Sequence, residues 1–140
     1  MNGKRVLLGG LVAGVFVNIS EWILNAGILM DEYTAVVEAH GLTAASWSMA
    51  GYILGAFILA LAIAWIYAAI RPRFGPGPRT AALAGVVVWI VGSVVPSIWF
   101  LAMGLTFGAG TTTLAVVWGL VEMVVAGLIA GWLYVETSEA

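Results

Sequence analysis

The sequence predicts an all-α integral membrane protein, a bundle of four helices that each cross the bilayer. Three observations carry that reading. The 140 residues are 63% hydrophobic and 9% charged, with a mean hydropathy of +1.10, whereas soluble domains carry about 25% charged residues. Four apolar runs each reach the about 20 residues that a spanning helix needs. The charges collect mainly in the short segments between those runs. One compact membrane domain over residues 1–140 follows, with the lipid bilayer as its principal partner.

The runs are Val6–Met30, Trp47–Ile70, Thr80–Gly104 and Thr113–Val135. They are too long and too continuously apolar for the alternating strands of a barrel, and helices alone then satisfy the backbone in lipid. The first run follows Lys4 and Arg5 as a secretory signal would. Asn18, Ser20, Glu21 and Asn25 interrupt any signal core, however, so the run reads as a retained helix. Lys4 and Arg5 precede it, Arg71, Arg73 and Arg79 fill the second loop, and the first and third loops hold no Lys or Arg. Basic residues near span ends stay in the cytoplasm, which predicts a multi-pass cell-membrane protein with both termini inside.

The connecting segments have their own character. In the basic loop 71–79, RPRFGPGPR, three prolines and two glycines are expected to stop both neighbouring helices, with the arginines at phosphate headgroups. The acidic loop 31–46 carries Asp31, Glu32, Glu38 and His40. There Asp31 is expected to cap a short surface helix ending at Gly41. Thr111–Thr113 are expected to cap the last span.

The two halves resemble each other. Ser20, Trp22, Leu24 and Gly27 of the first span stand in register with Ser97, Trp99, Leu101 and Gly104 of the third. Trp65-Ile66-Tyr67 likewise parallels Trp132-Leu133-Tyr134. This predicts two repeated helical hairpins related by an axis along the membrane normal. The other reading is the ordinary recurrence of Trp and Tyr at membrane interfaces. Gly10/Gly14, Gly51/Gly55 and Gly127/Gly131 form small-residue pairs at the spacing that lets helices approach in lipid, within the bundle or in a homodimer.

Several classes of chemistry are excluded. With no cysteine, disulfides, thiol relays and thiolate metal sites are out. The single histidine, His40, supplies no histidine-rich metal cluster. A net charge of −2 gives no footprint for nucleic acid. No phosphate loop, HExxH or nucleophile triad is present, so no cofactor, metal or catalytic set is assigned.

What remains are two carboxylates within spans. Glu21 and Glu122 fall at similar depth, within about 5 Å of the midplane at 1.5 Å rise per residue. There an unpaired charge costs roughly 2.5–3.5 kcal/mol on insertion scales. Gly10, Gly14, Asn18, Glu21 and Asn25 share one helical face. Pro96 removes a backbone hydrogen bond near Ser93 and Ser97 and predicts a kink, while Trp22, Trp99 and Trp118 offer aromatic walls. The candidate site is therefore Glu21, Glu122, Asn18, Asn25, Ser97, Trp22 and Trp118, for a small cation, a proton or a cationic or hydrophobic solute. The alternative is an accessory or assembly subunit of a larger membrane complex, in which protonated glutamates hydrogen-bond between helices.

With four spans in a short chain and Glu21 in the first, the protein resembles the small multidrug resistance transporters, where such a glutamate binds drug and proton in turn. The likeness is architectural and carries only Glu21. In overall texture, notably the glycine-rich first span followed by Asn18–Asn25, it is also similar to small bacterial four-span inner-membrane proteins, a likeness that implies no activity.

Overall fold

Backbone groups in hydrocarbon have no water to bond, so each apolar run has to close its own hydrogen bonds, and each does so as a helix. The structure is a computed structural model and describes residues 1–105 and 107–136. Helix α1 covers Gly3–Trp22 and runs into a π-helical segment, Ile23–Ile28. Short helix α2 follows over Met30–Ala39 and the second span is α3, Ser48–Phe74. The third span is composite: α4 (Pro78–Trp89), a π-helical segment (Ile90–Val94) and α5 (Val95–Ala102). Helix α6, Ala109–Leu133, is the fourth. All four spans are long and apolar enough to cross a membrane, and no strand occurs among the described residues.

Helix α1 packs along α3 and α4 along α6, giving two hairpins. These join through α1 with α6 and α3 with α4, and α3 also meets α6 across the middle. Small residues make the approach possible. A methyl on Gly10 or Gly14 would run into Leu61 or Phe57 of α3. One on Gly85 would run into the Met123 backbone of α6, and one on Gly127 into the Ala81 backbone of α4. The core between them is Ala13, Val17, Ala60, Ile63, Ala64, Ala84, Ala126 and their neighbours. Tyr67 and Tyr134, paired by the repeat, meet edge to face with centroids 5.8 Å apart. Their repeat partners Trp65 and Trp132 both face outward.

Met1, Asn2 and the stretch Tyr134–Glu136 share one end of the bundle with the basic loop. The Asn2 backbone N–H donates to the Tyr134 hydroxyl, and Arg71 pairs with Glu136 while lying 5.5 Å from the centre of the Tyr134 ring.

Several boundaries differ from expectation. Helix α3 continues through Pro72 to Phe74. A proline this close to the end of a helix loses only one of its last hydrogen bonds, so the stop falls at Gly75, whose φ of +82° leaves the helical region. Helix α2 begins after Leu29, not after Asp31, which sits in its first turn. It does end at Gly41 (φ +60°), where the Leu42 N–H reaches the Val37 carbonyl. The last span starts at Ala109 without a side-chain cap, so Thr111–Thr113 lie within its first turns. Gly51 and Gly55 pack against no other helix: Gly55 has open space beside it and Gly51 faces Trp47.

Candidate ligand-binding site

The site is built where two spans leave regular α-geometry. In the first span the ladder widens at Ile23–Ile28 and closes with Leu29 N–H to the Leu24 carbonyl, 2.9 Å. The Asn25 amide donates back to the Glu21 carbonyl at 2.8 Å and also bonds the Glu21 carboxylate. One side chain thus serves a backbone acceptor at the change of pitch and orients a carboxylate. In the third span the widened turn lies just before Pro96, where Val95 N–H reaches the Ile90 carbonyl. The wider turn accommodates the ring that a regular helix would crowd, and the Ser97 hydroxyl donates to the Ser93 carbonyl at 2.7 Å. Such π-turns are frequent at functional positions.

Between these segments and α6 lies a cleft of about 200 Å³. Its polar lining includes Glu21, Asn25, Ser93, Ser97, Thr111 and Thr112, its walls include Leu24, Phe100, Phe107 and Pro96, and among the described residues no Lys, Arg or His reaches it. Gly119 forms part of the floor, where a methyl would come within 2.9 Å of the Ser93 hydroxyl oxygen. The mouth is at the end of the bundle away from the termini. Tyr33 of α2 stands there edge-on to Phe107, centroids 4.8 Å apart. Burial raises the Tyr33 phenol above its usual range, and the Glu21 carboxylate and Tyr52 add to the rise.

Behind the cleft sits Glu122, 2% exposed. It faces Ser20 and Glu21 across the contact of α1 with α6, and neither of its carboxyl oxygens has a hydrogen-bond partner. The Trp118 indole N–H donates to the Ser20 hydroxyl at 2.9 Å. Trp89 is fixed by its indole bond to the Val116 carbonyl, 2.8 Å.

Of the residues singled out from sequence, Glu21, Asn25 and Ser97 line the cleft, Glu122 lies directly behind Glu21, and Trp118 holds Ser20 between them. Three are placed elsewhere. Trp22 is 68% exposed on the outer surface of the bundle, because it follows Glu21 by one residue and so points about 100° away. Trp99 faces outward as well. Asn18 turns toward α3, donating to the Gly14 carbonyl at 2.8 Å and, at 3.5 Å, to that of Ile53. Sequence reasoning missed Tyr33 and Phe107. The one available signal was an aromatic in each of the two loops at that end of the bundle, Tyr33 between the first two spans and Phe107 between the last two. Among the described residues, no three His, Cys, Asp or Glu side chains gather as a metal-holding group.

These features define an integral membrane four-helix bundle with a carboxylate-lined cleft and a second, sealed carboxylate behind it. Comparison with family profiles, curated proteins and solved structures gives no match, so the geometry itself carries the functional reading.

Proposed function

We propose that this chain is a multi-pass cell-membrane protein that binds a small organic cation in the Glu21 cleft. The observation that carries the reading is a carboxylate held by Asn25 in a pocket lined by aliphatic side chains, aromatic rings and hydroxyls, with no basic side chain among the described residues to neutralise it. A carboxylate attracts an ammonium by charge, and aromatic rings such as Phe100, Phe107 and Tyr33 in the lining can add cation–π attraction. At about 200 Å³ the cleft is smaller than the roughly 300–1,000 Å³ of pockets for drug-sized ligands, which favours a compact amine. Lys4, Arg5, Arg71, Arg73 and Arg79 all lie at the terminal end, so retention of basic residues in the cytoplasm would open the cleft outward.

Calorimetry of the full chain in lipid nanodiscs tests this with tetramethylammonium, ethylammonium and the neutral analogue tert-butanol. The ammonium ions should bind, tert-butanol should not, and Glu21→Gln should weaken binding about 10- to 100-fold, as expected for loss of a charged partner worth about 1.5–3 kcal/mol. Equal binding of the neutral analogue, or unchanged affinity in Glu21→Gln, overturns the proposal.

A second reading, an accessory subunit of a larger membrane complex, draws on the open space beside Gly55, which would admit a partner helix or a second copy. It predicts that Glu21→Gln lowers bundle stability in a chain that binds no ammonium.

A further inference from the structure

We propose that the cleft takes an amino alcohol: the ammonium end docks at Glu21, and a hydroxyl a short carbon chain away is read by Ser93 and Ser97. The inference rests on the cation-binding reading and names the second polar group that its ligand carries.

The starting point is a hydroxyl with nothing to bond. Small polar side chains on helices commonly turn back to the carbonyl one turn earlier. Ser97 does so onto Ser93 at 2.7 Å, and Asn18 and Thr34 do so onto Gly14 and Met30. The Ser93 hydroxyl makes no such bond and meets no other partner among the described residues. It stands in the widened turn Ile90–Val94, on the wall of the cleft. Opposite it is Gly119, where a Cβ would come within 2.9 Å of the Ser93 hydroxyl oxygen and 3.6 Å of the Ser93 Cβ. A larger residue there would cover the hydroxyl. Glycine leaves it open to the cleft, whose lining includes Gly119 itself.

Ser93 and Ser97 are complementary to each other. Ser97 has given its hydrogen to the Ser93 carbonyl, so it offers lone pairs to a ligand, whereas Ser93 still has a hydrogen to give. A ligand hydroxyl uses both, because it accepts from Ser93 and donates to Ser97. A methyl group uses neither.

The placement of the two polar points sets the length of the ligand. Glu21 faces Glu122 of α6, and Ser93 faces Gly119, three residues earlier on the same helix and so about 4.5 Å away along its axis. The ammonium and hydroxyl points therefore lie at nearly one depth, on different spans that wall a single cleft of about 200 Å³. That calls for a short link between the two groups, and Leu24, Pro96 and Val116 of the lining give its carbons apolar contact.

Ethanolammonium and n-propylammonium have the same charge and the same number of heavy atoms, and differ by a hydroxyl in place of a methyl. Calorimetry of the full chain in lipid nanodiscs should show ethanolammonium binding about 3- to 10-fold more tightly, the gain expected from a neutral hydrogen bond. Ser93→Ala should weaken ethanolammonium to the level of n-propylammonium and leave n-propylammonium unchanged, whereas a purely structural role would move both together. Gly119→Ala, which covers the hydroxyl from the other side, should lose the same preference. Equal binding of the two ions in wild type, or tighter binding of n-propylammonium, overturns the amino-alcohol reading without requiring any variant to fold, and leaves the cation site standing. A preference that survives either substitution overturns the assignment to Ser93. If neither ion binds, the cation reading fails and this inference fails with it.

Discussion

Replacing Gly85 by alanine puts the packing of the second hairpin to a sharp test. A methyl group at that position would lie 2.7 Å from the Met123 carbonyl carbon and 3.0 Å from the Val124 Cα, and closer still to the Met123 carbonyl oxygen. All of these are backbone or Cα atoms, so no rotamer change can make room. Restoring ordinary contact, about 3.4 Å or more, requires α4 and α6 to separate by about 1 Å. A gap of that size forfeits about a quarter to a half of each affected dispersion contact, and overpacked positions generally cost about 1–3 kcal/mol. Lipid tails are as apolar as the side chains, so the hydrophobic effect gives no compensation and close packing must hold the helices together. We therefore expect Gly85→Ala to destabilise the bundle by at least about 2 kcal/mol. Gly55→Ala, beside open space, should be neutral or stabilising by up to about 1 kcal/mol, since alanine favours the helix. Both are measured by unfolding in mixed dodecylmaltoside–dodecylsulfate micelles, followed by circular dichroism. Equal unfolding midpoints for the two variants would refute the close approach at Gly85.

Two further outcomes follow from the mouth and the interior of the site. The Tyr33 phenol is raised by burial and then by Glu21 and Tyr52, so the folded state holds that proton more tightly than the unfolded chain. Its contribution to stability is therefore present below about pH 10 and lost as the pH rises through the folded value. Ultraviolet titration of tyrosinate should show Tyr33 ionising late in wild type and earlier in Glu21→Gln, and an unshifted titration contradicts the proximity. Trp118→Phe removes the donor to Ser20 and should cost about 1 kcal/mol in the same micelle assay. An unchanged midpoint would show that this bond does not brace α1 against α6.

The spans were legible because length and composition alone satisfy the requirements of a bilayer. Glu21 and Glu122 were legible as candidates for a related reason: a carboxylate stands out in an apolar run. Facing was harder to read. In a soluble helix the polar face marks the outside, but here outward residues such as Trp22, Ile19 and Val15 are as apolar as the core, and the periodic signal vanishes. That is why Trp22 was expected at the site and is found at the surface. The π-helical turns were illegible too, because their pitch depends on partners such as Asn25 and on the packing around Pro96. The expected kink at Pro96 takes the form of a widened turn. The helix running through Pro72 shows that a proline's effect depends on how far it lies from the helix end, which sequence boundaries place only to within a few residues.

The central claim is that Glu21 and Glu122 converge, one at the cleft and one sealed behind it. Solid-state NMR on bilayer-embedded protein with ¹³C-labelled glutamate carboxyls measures this most directly. Convergence requires a dipolar cross-peak between the two carboxyl carbons that disappears in Glu122→Gln. Two resolved, assigned resonances with no cross-peak at long mixing times would contradict it.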